Sequence, residues 1–231
     1  MSNFADKIIA YYHQLELAEE LDTNLRVINP YQDNVMVRDT IEKFYRHFFN
    51  DSKKRQLIVG INPGRLGAGV TGIPFTDTKR LEENCGLHIP DVKSHEPSSV
   101  FVYQLIEKHG GPEKFYQDFY INSVCPLGFL RKNEKENWVN CNYYDFTSLF
   151  KTLESFIVTN LKKQIDCGID TSTCFVLGKK NAKFLKRINA KEKLFDDIIT
   201  FNHPRYIVQY KSKQSEIFAE EYAVALQQKT L

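Results

Sequence analysis

The sequence predicts an α/β fold, a three-layer α/β/α sandwich around a central four-stranded parallel sheet. Four short apolar runs each end in Gly or Pro chemistry, and they alternate with segments of helical periodicity. No internal repeat, low-complexity tract or Gly/Ser linker interrupts that order. Strands alternating with long helices build parallel β-α-β units, whose crossover helices cover both sheet faces.

The elements follow in chain order. Ala5 to Leu21 suits a helix, with Ile8, Ile9, Tyr12, Leu15, Leu17 and Leu21 forming an apolar stripe. Val35 to Phe49 is a second, with Val37, Ile41, Phe44, Tyr45 and Phe48 on one face, and Asn29-Pro30 breaks the chain between the two. Arg55 to Ile61 reads as a buried strand running into Asn-Pro-Gly. Phe119 to Val124 ends likewise at Cys-Pro-Leu-Gly, Thr173 to Leu177 at Gly178, and Asp197 to Phe201 at Asn-His-Pro. Helical patterns occupy Pro97 to Lys108, Asp145 to Ile165 and Lys211 to Gln227. In the middle one Phe146, Leu149, Phe150, Leu153, Phe156, Ile157, Leu161 and Ile165 recur at 3.6-residue spacing. One domain over residues 1–231 is expected, with a helical N-terminal part over 1–50 and an α/β core over 55–225.

Composition narrows the class. Hydrophobic content of 42% and charged content of 26% match a globular chain and exclude a disordered tail or a collagen-like sequence. Apolar stretches such as Leu57 to Ile61 fall far short of the roughly 20 residues that span a bilayer. Met1 to Glu19 lacks a signal-peptide core, so a cytoplasmic, intracellular protein with no membrane partner is expected. Thirty-one Lys and Arg against 29 Asp and Glu leave a formal charge of +2, which neither demands nor excludes nucleic acid. The five cysteines are widely spaced without a C-x-x-C pair, which reads as free thiols rather than a metal site.

In a parallel sheet, ligands sit outside the carboxyl ends of the strands, so the loops after the first, second and fourth strands should open at one edge. Residues 60–75 hold five glycines and two prolines, which lets the backbone approach a ligand and turn successive N–H groups inward. Within it Gly67-Ala68-Gly69-Val70-Thr71-Gly72 satisfies G-x-G-x-x-G. Five residues separate it from the strand and Pro74 follows closely, the wrong context for a dinucleotide fingerprint. In the second loop Asn122 and Ser123 alternate faces, so only one reaches a pocket if the strand persists. Cys125 could pair with His203 as a nucleophile, or be a buried inert thiol. In the third loop, Asn202 to Lys211, His203 can donate to developing negative charge. The aromatic and apolar residues bracketed by Arg205 and Lys211 suit a wedge entering stacked bases, and equally an ordinary edge loop.

Together GINPG (60–64), TGIPF (71–75), CPL (125–127) and HP-R (203–205) resemble, in order and spacing, the uracil-DNA glycosylase superfamily, and most closely its single-strand-selective monofunctional branch. The resemblance covers roughly residues 55 to 225. It implies a uracil-DNA glycosylase-like fold and a hydrolase that removes uracil from DNA for base excision repair. Asn62 would then position the attacking water and His203 would stabilise the leaving base. Phe75 would stack on the flipped base, while backbone around Ile61 and Phe75 binds its edge. Gly64 stands where the uracil-exclusive branch carries a bulky tyrosine, so 5-substituted uracil could enter. Where the family places an asparagine two residues before the Cys of CPL, this chain has Ser123, with Asn122 one residue earlier; that departure resembles a sub-branch for which xanthine is also a substrate. Arg205, Tyr206 and Lys211 are the expected DNA contacts, although the segment departs from the family's HPSPRN. The expected partner is DNA, single-stranded with double-stranded left open, the expected state a monomer, and the hydrolysis requires neither metal nor organic cofactor. Two alternatives stand beside it: a non-catalytic binder of damaged or single-stranded DNA, and a hydrolase using Cys125 and His203.

Overall fold

The computed structural model describes residues 2–229. Its strands are β1 (Leu25–Ile28), β2 (Arg55–Gly60), β3 (Phe119–Ser123), β4 (Gly128–Lys132), β5 (Trp138–Cys141), β6 (Ile169–Leu177) and β7 (Asp197–Phe201). Its helices are α1 (Phe4–His13), α2 (Pro30–Asp33), α3 (Val35–Phe48), α4 (Ala68–Thr71), α5 (Thr78–Cys85), α6 (Pro97–Lys108), α7 (Pro112–Asp118), α8 (Thr147–Asp166), α9 (Lys179–Glu192), α10 (Pro204–Tyr210) and α11 (Ser215–Gln227). The central sheet is four-stranded and parallel, in the order β3-β2-β6-β7. β2 and β3 are buried along their whole length, as expected of parallel strands covered on both faces.

The two faces carry different chemistry. On one, Phe175 stacks on Phe201, and Phe201 stacks on Tyr222 of α11 at 4.1 Å between centroids, with Phe101 of α6 edge-on to Tyr222. On the other, Tyr120 of β3 meets Tyr12 of α1 through their hydroxyls at 3.2 Å, and Tyr45 of α3 joins them at 3.3 Å. α8 and α9 complete this layer, with Phe150 packed on Phe184 at 4.8 Å. At the amino end of β2, the fully buried Arg55 is held bidentate by Asp51 at 2.8 and 2.9 Å, between the rings of Phe4 and Phe49.

The four predicted strands and α6 are where the sequence pattern puts them. α1 is shorter than predicted. It begins in a capping box of Asn3 and Asp6, but ends at His13 because Asn29 and Gln32 side chains capture the Leu15 carbonyl at 2.7 and 3.1 Å and turn the chain out of the helix. β6 starts earlier than Thr173; after the buried Ile169 come the polar Asp170, Thr171 and Ser172, and the register shifts between Gln56 and Leu57. Further elements lie outside the predicted pattern: β1, β4 and β5 form a separate antiparallel sheet in the order β1-β4-β5, α9 follows β6 directly, and the short helices α2, α4, α5 and α7 fill predicted connections. The predicted loop after β7 is also different: Pro204–Tyr210 is a helix, begun by a proline at its first position and capped by His203. The G-x-G-x-x-G segment makes only the four-residue α4, too short to present a dinucleotide site. No helix among the described residues is long and apolar enough to cross a membrane.

Candidate active site

The loops after β2, β3 and β7 converge, as their placement at one sheet edge requires, on a cavity of about 400 Å³. Its wall includes Ile61, Asn62, Gly64, Phe75, Ser123 and His203, with Arg205 at its margin.

Asn62 is oriented by the segment after β5. Its Oδ1 accepts the Tyr143 N–H at 3.1 Å, and its Nδ2 donates to the Cys141 carbonyl at 3.2 Å. These contacts fix which end of the amide is which, and Oδ1 keeps a second lone pair for a water. The same segment is tied to the sheet: the Tyr143 hydroxyl donates to Asn181 Oδ1 at 2.8 Å, and Asn181 Nδ2 donates to the Gly60 carbonyl at 2.9 Å. Asn62 is therefore held by a chain of bonds from β2 through α9 and back.

Phe75 lies against β2. A Cβ at Gly60 would stand 2.7 Å from Phe75 Cζ, so only glycine lets the ring come this close. Phe75 itself has φ +53°, an uncommon conformation for an aromatic residue and one that marks functional loops. The loop is over-determined by Thr71, whose hydroxyl donates to the Thr76 carbonyl at 2.6 Å and accepts the Ile73 N–H at 3.2 Å.

His203 caps α10. Its Nδ1 accepts the Arg205 backbone N–H at 3.1 Å, which places the proton of a neutral imidazole on Nε2. Burial, assisted by the Arg205 charge, pushes its pKa down to about 4, so the ring is a neutral donor across the physiological range. Its centroid is 5.9 Å from that of Phe75.

Ser123 reaches the cavity and Asn122 does not. Asn122 is buried on the opposite face, its Nδ2 donating to the Tyr120 hydroxyl at 2.7 Å and its Oδ1 accepting the Ser123 N–H at 2.8 Å. Pleat alternation is the reason: of the two candidate base-binding residues on this strand, Ser123 lines the cavity and Asn122, also a candidate from the sequence, does not. Cys125 is fully buried, absent from the cavity wall, and pushed up to about 12 by burial; this removes the Cys125–His203 nucleophile pair. All five thiols are free and buried.

Outside the cavity, helix α10 replaces the expected wedge loop. Ile207 points into the core, while Tyr206 and Tyr210 are exposed, 5.6 Å apart on the helix surface. Lys211 lies at the far end of this helix, half-buried.

Sequence reasoning missed Asn140 and Asn142, which line the cavity from the β5 side, and Glu96, which lines it from the start of α6. The Asn-Glu-Lys-Glu-Asn stretch at 133–137 between two short runs was a legible hairpin signal. Nothing in the local sequence singled out Glu96. Among the described residues no group of three or more His, Cys, Asp and Glu is placed to hold a metal ion.

Two comparisons with known proteins bear on this geometry. The family model of the uracil DNA glycosylase superfamily matches residues 47–227. The crystal structure of wild-type Pedobacter heparinus SMUG2 superposes with a TM-score of 0.95 at 44% identity, covering 98% of each chain. The matched span contains β2, β3, β6 and β7 with every loop that lines the cavity, and the chain belongs to the uracil DNA glycosylase superfamily.

Proposed function

We propose that this monofunctional DNA glycosylase removes xanthine and 5-substituted uracils from DNA as well as uracil, and that Asn62 and His203 carry the chemistry. The observation that supports this most directly is the convergence of Asn62, Phe75, Ser123 and His203 on one cavity, with a glycine rather than a bulky side chain at position 64.

Hydrolysis of an N-glycosyl bond builds positive charge on the sugar and negative charge on the departing base. Neutral His203 donates its Nε2–H to the base as that charge grows. A neutral donor requires no counter-charge in the free enzyme, and in a partly buried site it counts for more than it would in water. Asn62 cannot take a proton, since an amide does not titrate usefully. Its free Oδ1 lone pair orients a water, so bond breaking must be well advanced before attack. Phe75 stacks on the extruded base, and Ser123 offers one rotatable hydroxyl to its edge. Extrusion costs a few kcal/mol and is cheapest from single strands and mismatches. Arg205 at the cavity margin and the exposed Tyr206 are the proposed contacts to the DNA on either side.

An excision panel tests the reading. Oligonucleotides carrying uracil, xanthine, 5-hydroxymethyluracil or thymine are treated with enzyme and then alkali to reveal abasic sites. Strand breaks at uracil and at the larger bases are expected. Salt-dependent DNA binding with no abasic site would instead identify a non-catalytic binder.

A further inference from the structure

Glu96 stands immediately before Pro97, the first residue of α6, and contributes to the cavity wall beside Leu66, Gly67 and Ala68. Its carboxyl lies directly on Gly67, where any Cβ would collide with Oε2. Oε2 is sealed from solvent and has no hydrogen-bond partner. Leaving a polar atom so costs roughly 1–3 kcal/mol, and glutamate is rarely buried without a partner.

The backbone around it is held firmly by another carboxylate. Asp77, fully buried, accepts the Glu96 N–H at 2.9 Å, the Ser99 hydroxyl at 2.9 Å and the Arg80 N–H at 2.9 Å. The fold thus supports the segment through Asp77 and leaves the Glu96 side chain no structural task. Burial, reinforced by the Asp77 charge, pushes the Glu96 carboxyl up to about 7, so it keeps its proton into the neutral range. A protonated carboxyl is both donor and acceptor.

The cavity has two chemically distinct walls. Phe75, Ser123 and His203 make one, with the Phe75 ring pressed against Gly60 at the sheet edge. Gly67 and Glu96 make the other. A single pyrimidine ring held on the first wall leaves part of a 400 Å³ space unfilled.

We propose that Glu96 is a specificity-determining residue: its carboxyl hydrogen-bonds a polar group that a base larger than uracil carries to the Gly67 wall. This rests on the broader substrate range proposed above. The shared chemistry is a hydroxyl, N–H or carbonyl beyond the uracil ring, as in a 5-hydroxymethyl group or a purine lactam.

The test compares wild type, Glu96→Gln and Glu96→Ala in single-turnover excision of uracil, thymine, 5-hydroxymethyluracil and xanthine. Thermal unfolding confirms that each variant folds. Glu96→Ala should lose at least tenfold on 5-hydroxymethyluracil, xanthine or both, relative to uracil, while its thymine-to-uracil ratio does not fall. Whichever base is affected identifies the source of the polar group. Glu96→Gln, neutral and of the same shape, should stay within about threefold of wild type on every base, since it retains a donor and an acceptor. Equal losses on all bases, or no loss, would overturn the proposal and leave the broader substrate range standing. A wild type that removes uracil but no larger base would overturn both.

Discussion

Two asparagines, Asn62 and Asn122, sit on neighbouring parallel strands or just beyond them, both largely or wholly engaged by other protein groups. Asn62 belongs to the loop beyond β2 and faces the cavity, fastened by the backbone of Cys141 and Tyr143. Asn122 is still inside β3, paired in register with Val59, and its amide is spent on Tyr120 and Ser123. The same side chain serves as a reactive-site group in one place and as a satisfied core polar group in the other. Asn122 pairs with Val59, so Asn62 stands three positions further along, past the end of β2. The strand's period of two holds Asn122 on the far face, while Asn62 has left the sheet and is aimed by its own hydrogen bonds.

The sharpest way to break this comparison is to remove each amide in turn. Asn62→Ala should lower single-turnover excision of uracil by on the order of 10²–10³-fold, the usual cost of removing one preorganised polar group, in a protein that still folds although the Tyr143 N–H loses its acceptor, at roughly 1–3 kcal/mol. Wild-type-like excision would end the role assigned to Asn62.

His203→Ala should produce a loss of similar order. The pH dependence sharpens the point. Because the folded state holds His203 down at about 4 against 6.5 for an ordinary histidine, the unfolded chain binds the extra proton between those values. Stability from this group is therefore fully present above about pH 6.5 and is lost as pH falls toward about 4. Uracil excision should accordingly show no inflection near 6.5. A rate that rises or falls with a midpoint there would mean that the imidazole titrates in the working enzyme.

Ser123→Asn places a two-ended amide where the cavity now has a hydroxyl. Preference for uracil over xanthine should rise roughly tenfold, about the worth of one well-placed hydrogen bond; competition between the two oligonucleotides measures it. An unchanged ratio would show that this position does not touch the base.

The smallest effect on chemistry is expected at Asn122. Asn122→Ala should leave excision within about twofold of wild type yet destabilise the fold by roughly 1–3 kcal/mol, because the Ser123 N–H loses a buried acceptor. Denaturant unfolding paired with an excision assay separates the two. A large loss of activity at full stability would reverse the assignment.

Much of the site was legible before the fold was seen. The glycines and prolines at 60–75, the Cys-Pro after β3 and the His-Pro after β7 each follow an apolar run, and that context places all three loops at one edge. Less legible was anything built by distant partners. The Asn62 clamp comes from Tyr143 and Asn181, far along the chain and in elements with ordinary local patterns. The β1-β4-β5 sheet was missed because its strands are short and partly exposed, so their alternation is weak. The segment of α10 reads in sequence as a wedge entering stacked bases or an edge loop; the helix hides Ile207 and displays Tyr206 and Tyr210 instead.

The sequence by itself determined the four strands of the parallel sheet and the longest helices between them, the edge of the sheet at which the reactive loops gather, and the identity of the residues in those loops. These depend on local periodicity and on turn residues, which act over a few positions. Only the tertiary structure decided which of Asn122 and Ser123 faces the cavity, that Cys125 is out of reach, which imidazole nitrogen carries the proton, and that Glu96 stands bare against Gly67. Some of the bonds involved are local, such as that from the Arg205 N–H to His203 two residues before it, yet they form only once the strands and helices are packed, because burial and hydrogen-bond satisfaction are properties of the packed molecule rather than of any segment.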